Sequence, residues 1–145
     1  MQTFLPYPDF RESLESLDYK RLGKQRVEAL QLVKSIYIED YGWRNHPCSR
    51  MWREYPNALI EYMNIAIDVW VERGYNNTMH KGIVDKDSLV YPTWLGDTKF
   101  HDSHKANLLY KDYDFYSRYN WSVDKKLPYY WNGYGKGEET LNEKK

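Results

Sequence analysis

Apolar and polar positions alternate with a helical period over three stretches of the chain. In Asp18–Ile38, Leu22, Ala29, Val33, Ile36 and Tyr37 share one face, while Arg21, Lys24, Gln25 and Glu28 stand at i, i+3, i+4 and i+7 on another. Asp18 is an N-cap residue type, no proline interrupts the run, and Gly42 stops it, so the pattern predicts one long helix. A second stripe of Leu59, Tyr62, Met63, Ala66, Ile67 and Trp70 predicts a core helix from Pro56 to about Arg73, closed by Gly74. A third helix is predicted from about His101 to Tyr119, with His101, His104, Leu108 and Lys111 on one side. The opening MQTFLPYP, residues 1–8, is apolar and broken by prolines, which favours an extended segment tucked onto the body. Asp9 and Glu12 resemble a capping box for a short helix ending near Leu17.

The connections carry as much chemistry as the helices. Residues 42–52, GWRNHPCSRMW, read as a loop crowded with Trp43, Arg44, Asn45, His46, Arg50 and Trp52. Residues 75–100 read as a long ordered loop with short strand or 3₁₀ pieces, pinned by Trp94 and Leu95. Residues 127–137, LPYYWNGYGKG, set aromatic and basic groups among glycines before a polar tail, about 138–145, that is expected to fray. The expected fold is all-α: a single compact domain, residues 1–145, of about three main helices with long, ordered, aromatic-rich loops.

A chain of 145 residues makes one domain able to bury roughly 70% of its unfolded surface. Lys plus Arg and Asp plus Glu both number 21, so no global field draws polyanions to the protein. The charge is uneven, however. Lys20, Arg21, Lys24 and Arg26 fall within seven residues, and acids gather at Glu12/Glu15, Glu39/Asp40 and Glu138/Glu139. Such a local basic patch is compatible with nucleic-acid binding without demanding it. Read plainly, that face is a solvated helix with a Lys24–Glu28 pair worth a few tenths of a kcal/mol. Arg26 argues for more, since a guanidinium within an apolar stripe must find a carboxylate, carbonyls or a bound anion. Many of the 15 tyrosines lie in polar, turn-rich segments where they can serve as stacking surfaces. Tyr129, Tyr130 and Trp131, with Lys136, form such a group. The lone Cys48 excludes an internal disulfide and suits a reducing compartment. Without a signal-like start or an apolar run of ~18 residues, the chain reads as soluble and cytoplasmic, with no membrane partner; a monomer is expected.

The order of these pieces resembles the pyrimidine-dimer DNA glycosylases of the phage endonuclease V type, and more closely their bacterial and phage relatives that begin MQTFLPY. The resemblance runs through Met1–Tyr7, Leu17-Asp18, the run Arg21–Glu28, Asn45-His46-Pro47, Met51-Trp52 and Arg73-Gly74-Tyr75. It continues through Trp94-Leu95-Gly96, His101, Ser103-His104, Asn107-Leu108, Lys111 and Pro128-Tyr129, and so spans nearly the whole chain.

The resemblance implies a DNA repair enzyme that needs no cofactor and acts on damaged or modified double-stranded DNA, in the host cell where the gene is a phage's. In that family an α-amine attacks the sugar C1′, the base leaves, and the resulting imine permits strand scission by β-elimination, the abasic-site lyase step. An α-amine, with a pKa of ~7.7–8.0, keeps a useful neutral fraction at pH 7, whereas an ordinary lysine near ~10.4 keeps almost none. Glu28 is the position implied for the carboxylate that stabilises the sugar cation and moves protons. Characterised members expose a threonine amine after loss of the initiator Met, whereas Gln2 here is too large for ordinary Met removal. Three routes therefore stay open: the Met1 amine, Lys24 one turn before Glu28, or water activated by Glu28. For DNA contacts the reading nominates Lys20, Arg21, Gln25, Arg26, Asn45, His46, His101, His104, Lys111, Tyr129, Tyr130, Trp131 and Lys136, with the histidines lining one cleft.

Two other classes are weighed beside this one. The first is a nucleic-acid-binding module without catalysis. The second is a metal-dependent hydrolase using His46, His101 and His104, with Cys48 as a further zinc-ligand type, although the spacing matches no strong zinc signature and no metal is expected.

Overall fold

Residues 1–5 form no helix and residues 6–9, with their two prolines, bend the chain into the first helix; Gln2, Thr3, Phe4, Leu5 and Pro6 are buried beneath the rest of the chain. The computed structural model describes residues 1–135. Lys136 and the tail at about 138–145 therefore lie outside the described residues. Asp9 then caps a short helix, α1 (Phe10–Glu15), by accepting from Glu12 N at 2.7 Å. The next helix, α2 (Tyr19–Tyr37), buries Leu22, Gln25, Ala29, Leu32 and Ser35. That stripe differs from the expected one. Gln25 and Ser35 are inside, Val33 and Ile36 are half-buried, and Tyr37 is 65% exposed. Asp18 stands at the N-cap position of α2, but its carboxylate serves Arg21 and Tyr116 instead of the helix end. The helix stops at Ile38, whose backbone turns extended, four residues before Gly42.

The stretch expected to be loop from 42 to 52 contains a helix, α3 (Pro47–Trp52). Pro47 fits its first turn and His46 caps it, with Nδ1 accepting from Cys48 N at 3.1 Å. After it, α4 (Pro56–Glu72) buries every residue of its predicted stripe, and Gly74 at φ +87° ends it. α4 packs chiefly on α2, with α1 against α4 and α3 against α2. Residues 75–97 are irregular but tied down. Asn64 brackets Gly82 N and O at 2.9 Å each, a 3₁₀ turn spans Lys86–Ser88, and buried Trp94 donates to Met51 O at 3.1 Å.

The predicted third helix is split in two. α5 (Thr98–Lys111) is capped by Asp97, and Asp112 then leaves helical geometry (φ −153°, ψ 77°) to cap α6 (Tyr113–Tyr116). An aspartate that can hydrogen-bond the next turn's N–H offers the chain this restart, which apolar spacing does not reveal. A left-handed Asn120 turns the chain back, and residues 121–135 cross the body towards the N-terminal segment. Among the described residues there are no strands, so the fold is all-α, and no helix is long and apolar enough to cross a membrane. The core holds a chain of rings, Phe10, Tyr62, Trp52, Trp94, Phe100 and His104, successive members meeting tilted or edge-on at 4.3–5.8 Å.

Candidate active site

The extended N-terminal segment organises the site because its backbone polar groups cannot be left bare in the interior. With no sheet to join, they are satisfied by helix side chains. Gln2 N donates to Glu28 Oε2 at 3.1 Å, and Gln2 O accepts from Gln25 Nε2 at 2.8 Å. Phe4 N donates to Gln25 Oε1 at 3.0 Å, and Phe4 O accepts from the Tyr62 hydroxyl at 3.3 Å. Leu5 N donates to His104 Nδ1 at 2.8 Å, and Leu5 O meets His101 Nδ1 at 2.7 Å.

This arrangement sets Met1 at the edge of a cleft of about 530 Å³, beside Glu28. The floor and walls are Gln2, Phe4, Gln25, Glu28, His46, Tyr129 and Trp131, and Lys20, Arg21, Lys24 and Lys111 supply positive charge at the rim. Glu28 Oε2 also receives Gln25 Nε2 at 3.4 Å, while Oε1 makes no hydrogen bond among the described residues. One carboxylate oxygen is thereby anchored and the other left to the cleft. Burial, then the nearby Met1 amine, holds His46 below the usual histidine range, so its ring stays neutral near pH 7. With Nδ1 engaged as the α3 cap, its proton sits on Nε2. Trp131 stands edge-on to His46 at 5.6 Å and tilted to Tyr129 at 5.5 Å. Cys48, beneath the segment, is pushed up to about 11 by burial and remains a thiol, not a nucleophile.

Most of the nominated residues meet here: Met1, Lys20, Arg21, Lys24, Gln25, Glu28, His46, Lys111, Tyr129 and Trp131. Several have other employment. Gln25 is only 1% exposed and holds the N-terminal segment, so its amide is not offered to DNA. Arg21 is half-committed to Asp18, at 3.1 Å. Arg26 is not in the cleft. Among the described residues its guanidinium finds neither a carboxylate nor a row of carbonyls, but donates to a single side-chain amide carbonyl, Asn77 Oδ1, at 2.7 Å and lies 4.3 Å from the centre of the Trp70 ring. His101 and His104 do not line the cleft either. They are buried on α5 and spend their Nδ1 atoms on Leu5, with His101 Nε2 accepting from Gly96 N at 2.8 Å. Tyr130, unlike its neighbours Tyr129 and Trp131, does not line the cleft, and Lys99 Nζ lies 4.4 Å from the centre of its ring. Asn45 is exposed outside the cleft lining. Among the described residues no three His, Cys, Asp or Glu side chains converge on a metal position, so the set weighed for zinc is not assembled.

Sequence reasoning missed Gln2, Phe4 and the Tyr62 hydroxyl as parts of the site. Phe4 and Tyr62 look like core residues and are core residues; the signal available was the pair of polar residues, Gln2 and Thr3, buried in an otherwise apolar opening. Also unforeseen is a second cleft of about 520 Å³ on the other flank of α2, where Tyr19, Val27, Gln31 and Trp70 join Lys20, Lys24 and Glu28.

A family model described as pyrimidine dimer DNA glycosylase matches residues 1–82. No curated protein and no solved structure matches the chain. The matched segment carries Met1, the basic turns of α2, Glu28 and His46, while Lys111, Tyr129 and Trp131 complete the same cleft from beyond it. Since the match spans more than half of the 145 residues, the chain belongs to the pyrimidine dimer DNA glycosylase family.

Proposed function

We propose that the protein couples base release at pyrimidine dimers in duplex DNA to strand scission, using the Met1 α-amine as nucleophile and Glu28 as its carboxylate partner. The observation that carries this reading is the 3.1 Å bond from Gln2 N to Glu28 Oε2. It holds the amine one peptide unit from the carboxylate, at the mouth of a cleft rimmed by cations.

The neutral amine attacks C1′ of the damaged nucleotide as the glycosidic bond breaks and its electron pair leaves with the pyrimidine. The amine loses a proton, the departing base gains one, and Glu28 is the group positioned to carry it. Its negative charge meanwhile opposes the positive charge that develops on the sugar. Opening of the sugar ring gives an imine between Met1 and C1′. Glu28 then removes a C2′ proton, the 3′-phosphate departs by β-elimination, and water hydrolyses the imine to restore the amine. Lys20, Lys24 and Lys111 suit the flanking phosphates, and Tyr129 and Trp131 suit stacking on an unpaired base.

The test is borohydride reduction during turnover of an ultraviolet-irradiated duplex, followed by peptide mapping. The expected result is a covalent DNA adduct on the peptide that begins at Met1. An adduct on Lys24 transfers the nucleophile to that lysine, and base release without any adduct leaves Glu28 activating water.

A further inference from the structure

We propose that His104, together with His101 and Gln25, acts as a positioning residue whose hydrogen bonds to the backbone of residues 2–5 set the Met1 amine at its working distance from Glu28. This inference rests on the Met1 reading above.

All six polar backbone atoms of Gln2, Phe4 and Leu5 are bonded to side chains, drawn from α2, α4 and α5. Burial of Phe4 and Leu5 also anchors the segment, but apolar contact tolerates small sliding, whereas hydrogen bonds at 2.7–3.1 Å do not. A slip of one residue would present every one of these side chains with the wrong atom.

The two histidines show the arrangement most sharply. They stand at i and i+3 on α5 and read the N–H and the C=O of the same residue, Leu5. His101 Nε2 accepts from Gly96 N, so its proton is on Nδ1 and goes to Leu5 O. His104 Nδ1 accepts from Leu5 N, so its proton is on Nε2, a buried atom with no partner among the described residues. Opposite tautomers are thus fixed on neighbouring turns. A leucine or phenylalanine at 104 would fill the same space without a stranded N–H. Retaining a histidine there is accounted for by the bond it makes to Leu5.

A nucleophile must lie near its target, and displacement by about 1 Å costs on the order of 10²-fold in rate. His104→Leu is therefore expected to lower kcat for excision and the rate of borohydride trapping by about 10²-fold. KM should change less than about threefold, because His104 does not line the cleft. His104→Asn, whose Oδ1 can stand where Nδ1 stood, should recover most of the rate, and His104→Gln, which reaches the Nε2 position, should not. Amide exchange on the wild-type protein supplies a measurement independent of any variant: Phe4 and Leu5 N–H should be protected as strongly as the core of α4.

Wild-type kcat in a folded His104→Leu, equal rates for the Asn and Gln variants, or loop-like exchange at Phe4 and Leu5 would each overturn the proposal. These outcomes are separable from failure of the Met1 reading, which shows as a missing Met1 adduct in the wild-type protein.

Discussion

The buried His104 makes the stability of this protein sensitive to mild acid. Burial, and then the neighbouring His101, lowers its pKa from 6.5 to about 3. Protonation would also turn Nδ1 from acceptor to donor and set it against Leu5 N–H. Below pH 6.5 the unfolded chain takes up this proton and the native chain does not. Stability therefore falls as pH drops from 6.5 towards 3, by ~1.4 kcal/mol per pH unit, and is unaffected by this group above 6.5. At pH 5 the loss from His104 alone is about 2 kcal/mol, a sizeable share of a stability of about 5–15 kcal/mol. His101 and His46, also lowered by burial first, act in the same direction. Asp18 is pushed up by burial but held below the usual carboxylate range on balance by the Tyr116 hydroxyl and Arg21, so it contributes only below pH 4. Urea unfolding at pH 7.5 and pH 5.0, in the wild type and in His104→Asn, isolates the contribution of His104, because asparagine does not titrate. The wild type should lose about 2 kcal/mol more than the variant between the two pH values. Equal losses would show that His104 is not a buried neutral imidazole, and the tautomer argument would fall with it.

Glu28→Gln should abolish base release while DNA binding stays normal or tightens, since a charge that repels phosphate is gone. Retention of more than about a tenth of the rate, a loss under ~1.4 kcal/mol in barrier, refutes the role given to Glu28. Lys20→Ala, Lys24→Ala and Lys111→Ala should each reduce the log–log salt dependence of DNA affinity by about one, measured by titration across salt concentrations. Arg26→Ala should instead leave that slope alone and lower stability by ~1–2 kcal/mol, from the lost Asn77 bond and Trp70 contact. Trp131→Ala should slow processing of irradiated duplex by an amount equivalent to ~1–3 kcal/mol of stacking, with an unchanged melting temperature. Tyr130→Ala, whose ring lies against Lys99 instead, should process it at the wild-type rate.

How far the sequence could be read depended on whether a residue's partners lay close to it along the chain. The α4 stripe from Leu59 to Trp70 was legible because burial there is one-sided and periodic. The gathering of Met1, Glu28 and the lysines followed from the family resemblance plus one helical face. What periodicity could not reveal were side-chain bonds to distant backbone. Gln25 looked like a member of the polar face, yet it is buried because the backbone of residues 2 and 4 needs both ends of its amide. His101 and His104 are assigned to DNA contacts from residue type, a shared helix side and the family resemblance. Their partner is 96 and 99 residues away, and no spacing rule connects them. Tyr130 was grouped with Tyr129 and Trp131 because all three are aromatic. In an extended stretch alternate side chains face opposite ways, and the middle one left the cleft.

A chain with no net charge must still attract a polyanion, and the distribution of its ion pairs supplies the means. The acids near the opposite reach of α4 are engaged. Glu15 and Glu72 pair with Arg11, Asp68 pairs with Lys81, and Glu61 accepts from the Tyr91 hydroxyl. Around the cleft Asp18 pairs with Arg21, whereas Lys20, Lys24 and Lys111 have no ion pair among the described residues. With a Debye length of about 8 Å at physiological salt, a duplex bound at the cleft as proposed would meet these three ammonium groups, while the paired acids farther off would be screened. Glu28 is the exception, an acid in the middle of the cationic rim. A carboxylate there weakens ground-state binding of DNA. In the mechanism proposed above it becomes favourable once the sugar turns cationic, and that difference between ground state and transition state would be the source of a rate enhancement.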